Sequence, residues 1–359
     1  MQEMESADCR AMVGVVRVCT APAGVVHVET RAVERIIQLA AGAANGTSLW
    51  LVPDWRTDDL CARDGIAATS DHVKTPEQTD DACASAARSV AERVAVLTAI
   101  YALLARLGAE QLNVHVVFDT QTVAHAPAVV RRSGFVCVIG VTSTCRSVIV
   151  DELVQWSKNV DANSKLEACG ADEPLSNWFE YDAATCMDLP DRQYASVLVG
   201  GTFDHMHAGH RLLLSTSALI SASKLVVGVS GAALLTRKKF AEQMQSFQQR
   251  RRFVADFLSN VGFSADDQAS YAKSSGRQCE ILELHVPEGT LYTDPDVDVL
   301  VASKETEAGA LDVLKRRKEL GLPMTTLIVV DLLYGSAAGS VADKLSSSAL
   351  RASKAAVQK

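Results

Sequence analysis

Three histidines within six residues, His205, His207 and His210, are the densest concentration of reactive side chains in the sequence. They lie in the stretch 197–210, VLVGGTFDHMHAGH, where an apolar run (195–199) stops at Gly200 and Gly201 and gives way to Thr202, Phe203 and Asp204. Beyond Gly209 the apolar residues fall at helical spacing: Leu212, Leu213, Leu214, Leu219 and Ile220. The pattern predicts a buried strand, a glycine turn and a helix N-terminus. Such a junction binds phosphate through free backbone N–H groups and the helix dipole.

Three chemistries compete for the histidines. Zinc needs three or four ligands of suitable geometry, and no cysteine or carboxylate set nearby completes one. Helix capping needs only a short oxygen side chain, which Asp204 or Thr202 supplies without the imidazoles. Phosphate binding uses the spacing itself: His207 and His210, three apart on a first helical turn, turn both rings toward one anion. Gly200, Gly201 and Gly209 would then keep Cβ atoms out of its approach. We favour the phosphate reading. A dinucleotide G-x-G-x-x-G does not follow the strand, and neither G-x-x-x-x-G-K-[ST] nor G-x-S-x-G occurs in the chain.

The elements that must position these residues follow an α/β alternation. After the first strand and helix (208–222), strands are expected at 224–230, 279–286, 297–302 and 325–332. Helices are expected at 246–261 and 308–320, and a polar loop at 263–277. This is a doubly wound parallel sheet, which binds ligands at the carboxyl ends of its strands. Before it, strands at 11–20, 47–52, 113–118 and 135–141 and helices at 31–43 and 83–107 suggest a second α/β domain. The helix 83–107 reads as amphipathic, with Val90, Val94, Leu97, Ile100 and Leu104 on one face and Gly108 as its stop. An Asp-rich stretch, 54–81, reads as a surface excursion. Mixed polarity over 171–194 marks the boundary, giving domains 1–190 and 191–359. His27, His72, His115 and His125 are isolated, and each reads as a surface or core histidine.

Bulk composition agrees with two ordinary globular domains: 359 residues, 48% hydrophobic and 22% charged. The net charge of −8 is uneven. Residues 1–193 hold 16 Lys+Arg against 26 Asp+Glu, whereas residues 194–359 hold 19 against 17. The second half therefore suits an anionic ligand, and the acidic whole argues against nucleic acid. Nine cysteines without a C-x-x-C pair suggest scattered thiols in a reducing compartment. No stretch reads as a membrane span or leader, so the cytoplasm is expected.

Four segments together carry a resemblance. Gly201-Thr202-Phe203-Asp204 followed by His207-x-Gly209-His210 resembles the signature of the nucleotidylyltransferase superfamily. Arg237-Lys238-Lys239-Phe240 follows the second strand, where that superfamily has a phosphate-binding lysine. Ala302-Ser303-Lys304-Glu305-Thr306 is similar to the Val-Ser-x-Glu-Thr segment of phosphopantetheine adenylyltransferases of the eukaryotic and archaeal type. Leu345-Ser346-Ser347-Ser348-Ala349-Leu350-Arg351 resembles their Ile-Ser-Ser-[ST]-x-x-Arg motif, with Leu345 in place of Ile. Order and spacing agree over 195–355, and no motif reaches 1–190.

The resemblance implies adenylyl transfer from ATP, carried with Mg²⁺, to 4′-phosphopantetheine. It implies catalysis by His210, Thr202 and Lys238, and ATP binding by Gly200, Gly201, Phe203, His207, Gly209, Ser346, Ser347, Ser348 and Arg351. Acceptor binding would fall to Thr202, Lys239, Ser303, Glu305 and Thr306. No protein-held metal, nucleic acid or membrane partner is implied. The bifunctional animal enzymes continue into a dephospho-CoA kinase, and that second activity is not expected here. Arg250, Arg251 and Arg252 are expected on the exposed side of a helix burying Phe253 and Phe257, with no role. The alternatives are a cytidylyltransferase, a nicotinamide-mononucleotide adenylyltransferase and a non-catalytic binding protein. Class I aminoacyl-tRNA synthetases share an analogous His-x-Gly-His, but an anticodon domain is not expected after 191–359, and the net charge of −8 is not basic.

Overall fold

In the computed structural model the described residues are 11–21, 25–41, 48–55, 89–109, 112–118, 136–139, 165–167, 178–236, 238–263, 277–335 and 346–357. The expected excursion 54–81, most of the loop 263–277, His72, His125, Arg237 and Leu345 lie outside them, apart from 54–55, 263 and 277. The chain divides into two units, Met1–Asp191 and Arg192–Lys359.

The first unit is a mixed sheet of seven strands with helices. Its elements are β1 (Ala11–Ala21), β2 (Val25–Glu29), α1 (Thr30–Ala41), β3 (Ser48–Trp55), α2 (Val90–Arg106), β4 (Val114–Val116), β5 (Val136–Ile139), β6 (Lys165–Glu167), β7 (Trp178–Asp182) and the short α3 (Ala184–Met187). Strand β1 pairs in parallel with β3 and β5 and antiparallel with β2, which in turn pairs antiparallel with β7. Three strands of this unit, β2, β6 and β7, were not expected. Helix α2 departs from the amphipathic reading. It is buried on nearly every side from Ala91 to Ala105, so its apolar residues continue around the cylinder. Ser89 and Glu92 form a reciprocal capping box at its start, and Gly108, with φ of +69°, ends it. His115 is fully buried beside Trp50, their rings 5.6 Å apart.

The second unit is a parallel sheet of five strands in the order β10-β9-β8-β11-β12. It comprises β8 (Tyr194–Gly201), α4 (Ala208–Ile220), β9 (Ser221–Ser230), α5 (Phe247–Asn260), β10 (Gln278–Leu284), β11 (Val299–Ser303), α6 (Glu307–Glu319), β12 (Thr326–Val330) and α7 (Ser347–Val357). Central strand β8 is buried at Val197, Leu198 and Val199, the continuous apolar run of a strand covered on both faces. One side of the core gathers Leu198, Val226, Leu291, Val297, Leu300 and Ala310. The connections run outward from β8 through β9 to β10, then return to β11 on its other flank. The order of strands therefore reverses between β8 and β11, and the crevice at their carboxyl ends is where such sheets bind ligands.

Helix α5 corrects two expectations. Arg250 is 1% exposed, and Phe253 is 42% exposed. The buried positions are Arg250, Val254, Phe257 and Leu258, one stripe at i, i+4, i+7 and i+8 that excludes residue 253. Ser246 and Gln249 form a capping box that starts the helix so that Arg250 falls on its inner face.

Candidate active site at the carboxyl ends of β8 and β9

The turn between β8 and α4 is strained and tightly held. Phe203 and His205 both adopt left-handed backbone, with φ of 51° and 47°, a conformation costly for side chains bearing Cβ and concentrated at functional sites. Three carbonyls around the turn are gathered by Arg250: its Nη1 donates to Thr202 O (2.8 Å) and Ser230 O (2.9 Å), and its Nε to Gln245 O (3.2 Å). Ser230 Oγ donates to Gly201 O at 3.2 Å. The side chain expected to have no role thus ties the ends of β8 and β9 together.

Asp204 does not cap α4. It is fully buried, accepts from Gln245 N (2.9 Å) through Oδ1 and meets Arg351 Nη1 (2.5 Å) through Oδ2. The N-cap position of α4 is His207, which makes no side-chain cap hydrogen bond. The first-turn N–H groups of a 13-residue helix therefore face the crevice without a capping oxygen.

The histidines separate. His205 is turned away, its Nε2 2.9 Å from Gln243 O and its N–H donating to Gln245 Oε1. His207 and His210 stack with ring centroids 3.9 Å apart, and Phe203 lies against the other side of His210 at 5.5 Å. His210 Nδ1 is buried and has no hydrogen-bond partner among the described residues. Burial, with the neighbouring His207 and Arg211 charges adding to it, holds the His210 pKa well below its ordinary value of 6.5. At neutral pH it is an uncharged imidazole with one N–H to donate.

The glycines serve the rings more than the anion. A Cβ on Gly209 would stand 3.1 Å from His207 Cε1, and one on Gly201 would stand 3.0 Å from the Phe203 ring. On Gly200 it would meet Leu284 at 3.5 Å and Gly228 O at 3.9 Å, ordinary contacts, so crowding does not explain that residue.

The remaining segments join this turn to different degrees. Arg351, 1% exposed, donates through Nε to Lys239 O (3.0 Å), through Nη1 to Asp204 and through Nη2 to Ser348 Oγ (2.9 Å). One side chain thus links the start of α7, the basic loop and the β8–α4 turn. Ser346 Oγ accepts from Ala349 N at 3.2 Å and caps α7; Ser347 is the first residue of that helix. Lys238 and Lys239 project into solvent. Ser303, Glu305 and Thr306 stand at the carboxyl end of β11. Ser303 Oγ and Thr306 Oγ1 are 3.2 Å apart, and Lys304 N donates to Val330 O. Lys304 pairs with Glu307 at 2.8 Å. This segment ends β11 and the β8–α4 turn ends β8, so the two flank the switch-point crevice from separate strands.

Comparison with known proteins bears on the same unit. A family profile described as cytidylyltransferase-like matches residues 198–351. A phosphopantetheine adenylyltransferase of Methanopyrus kandleri is 32% identical over 162 residues, covering 45% of this chain and 92% of that protein. The chain belongs to the phosphopantetheine adenylyltransferase-like nucleotidylyltransferases. Two fungal proteins also match: an uncharacterized protein of Schizosaccharomyces pombe, 35% identical over 157 residues, and a phosphopantetheine adenylyltransferase of Saccharomyces cerevisiae, 33% identical over 153 residues. Each match covers 43% of this chain and 46% of the relative, so the chain spans about half the length of these fungal proteins. Among the described residues, no helix is long and apolar enough to cross a membrane.

Proposed function

We propose that the second unit transfers the adenylyl group of ATP to 4′-phosphopantetheine, giving dephospho-CoA and pyrophosphate, with the cytoplasm as the proposed compartment. The observation that carries this reading is the neutral His210, clamped between His207 and Phe203 beside an uncapped helix N-terminus at the switch point. The choice of acceptor leans on the relatives named above.

An oxygen of the acceptor phosphate attacks the α-phosphorus of ATP in line. A P–O bond forms as the bond to the β-phosphate oxygen breaks, and pyrophosphate leaves with that electron pair. A phosphate monoester is already ionised near neutral pH, so no general base is needed; positioning and cover for developing charge are. In this scheme the Thr202 hydroxyl orients the attacking phosphate, and His210 donates to the α/β region in the transition state. His207, the first-turn N–H groups of α4 and Ser346 to Ser348 hold the β and γ groups. Arg351 has three donors engaged within the protein, so its part is to fix the turn and the basic loop, or to exchange one donor onto the triphosphate. Lys238 or Lys239 bridges the two reacting phosphates. Ser303, Glu305 and Thr306 face the acceptor. Mg²⁺ enters as part of Mg·ATP; among the described residues no group of three or more His, Cys, Asp or Glu could hold one.

The test is pyrophosphate release by the full chain from Mg·ATP with 4′-phosphopantetheine, beside CTP and beside other phosphorylated acceptors. Turnover with the named pair supports the proposal. The profile description favours one second reading, cytidylyl transfer, and turnover confined to CTP would replace ATP as donor. No turnover with any pair would leave a binding role and sink the reading.

A further inference from the structure

The first unit contains a cavity that nothing in the nucleotidylyltransferase chemistry uses. It has a volume of about 540 Å³ and is lined by Thr30, Arg31 and Glu34 from α1, Leu103, Arg106 and Leu107 from the end of α2, and Trp178 and Phe179 from β7. That volume falls within the usual range for small-molecule sites, and the lining sets four apolar side chains, two of them aromatic, against four polar or charged ones. Two further observations give the site a chemical sign. The indole Nε1 of Trp178 is buried with no hydrogen-bond partner among the described residues, an N–H donor without an acceptor. The guanidinium of Arg106 lies over the Phe179 ring at 5.5 Å and forms no described ion pair or hydrogen bond. Arg31 adds a second cation and Glu34 one carboxylate, leaving the lining with an excess of one positive charge. The first turn of α1 contributes partial positive charge, and Arg106 offsets the partial negative charge at the end of α2.

We infer that this cavity binds a small organic anion carrying a flat apolar group. The planar part lies against Trp178, Phe179, Leu103 and Leu107, and the anionic part accepts from the Trp178 N–H and the Arg106 guanidinium. The inference is independent of the reaction proposed for the second unit. It also gives residues 1–190, which carry no motif, a binding role.

The probe is 1-anilinonaphthalene-8-sulfonate, titrated by fluorescence into the full-length protein, with uncharged N-phenyl-1-naphthylamine as its partner lacking the sulfonate. The expected result is saturable one-site binding of the sulfonate, about tenfold tighter than the neutral probe and unchanged by saturating Mg·ATP. Arg106 is exposed, so Arg106→Gln removes charge without removing packing, and it should weaken sulfonate binding about tenfold. Trp178→Phe keeps the ring and loses the donor, and should weaken it by a smaller factor. Thermal melts of both variants confirm folding. Displacement by Mg·ATP, equal affinity for the two probes, absence of saturable binding, or affinity unmoved in Arg106→Gln would each overturn the inference.

Discussion

The two units dispose of their buried polar groups in opposite ways. In the first, the long helix α2 satisfies its buried hydroxyls close by: Thr98 Oγ1 donates to Val94 O at 2.8 Å, four residues back, and the Tyr101 hydroxyl to Val114 O at 3.3 Å on the next strand. In the second, fully buried arginines reach across the fold to loop carbonyls and, for Arg351, also to a carboxylate and a hydroxyl. Arg250 gathers Thr202, Ser230 and Gln245; Arg317 gathers Leu291, Asp294, Pro295 and Pro323; Arg351 gathers Asp204, Lys239 and Ser348. Guanidinium is suited to this because it carries five donors in a rigid fork. The difference separates a helix that is only core from loops that must hold one shape. Two of those arginines brace the β8–α4 turn that carries His207 and His210.

If that contrast is real, breaking it should cost most in the second unit. Asp204→Ala leaves Arg351 buried without its carboxylate, and should lower unfolding free energy by about 3–5 kcal/mol in urea titrations. A loss within the error of the measurement would show that Arg351 finds other partners. Arg250→Met strands three carbonyls and should cost about 1–3 kcal/mol while also lowering turnover, because Thr202 is among them. Equal turnover per folded molecule would confine Arg250 to stability.

His210 contributes through pH. It is neutral in the folded state, with its pKa depressed, whereas the unfolded chain takes up a proton near 6.5. As pH falls below about 6.5 the unfolded state binds the extra proton, so this share of stability is full above that value and lost as pH falls toward the folded pKa. Melting curves from pH 7.5 to 5 should show the decline, and His210→Gln should flatten it. An unchanged slope would mean the imidazole is not desolvated. The smallest effect belongs to the first unit: Thr98→Val should cost about 1 kcal/mol or less by thermal melting, since Val94 O keeps its helical partner.

Periodicity made the second unit legible almost element by element, because its central strands are continuous apolar runs and helix α5 shows a 3.6-residue stripe. The first unit was harder. Strands β2 and β7 are five residues each; β2 folds back on β1 across three residues, and its pairing with β7, about 150 residues later, is what no local pattern reveals. Helix α2 was found, but burial on all sides erases the stripe that separates an inner from an outer face. Its Ser89-x-x-Glu92 capping box is the local signal that marks its true start. At the site, the His-x-Gly-His spacing sets His207 and His210 on one helical turn, but their stacking against each other is not written in it. Arg250 was misplaced because three consecutive arginines look alike until the Val254, Phe257 and Leu258 stripe fixes which one points inward. Asp204 was read as a cap because sequence shows its neighbour in the chain, not the arginine 147 residues later that takes its carboxylate.

The most direct test of the account compares pyrophosphate release from Mg·ATP and 4′-phosphopantetheine by the natural chain and by His210→Ala. Loss of one preorganised transition-state donor should lower kcat by about 10²–10³-fold with little change in KM for ATP. A variant that turns over at close to the natural rate would contradict the role assigned to His210 and to the stacked pair around it.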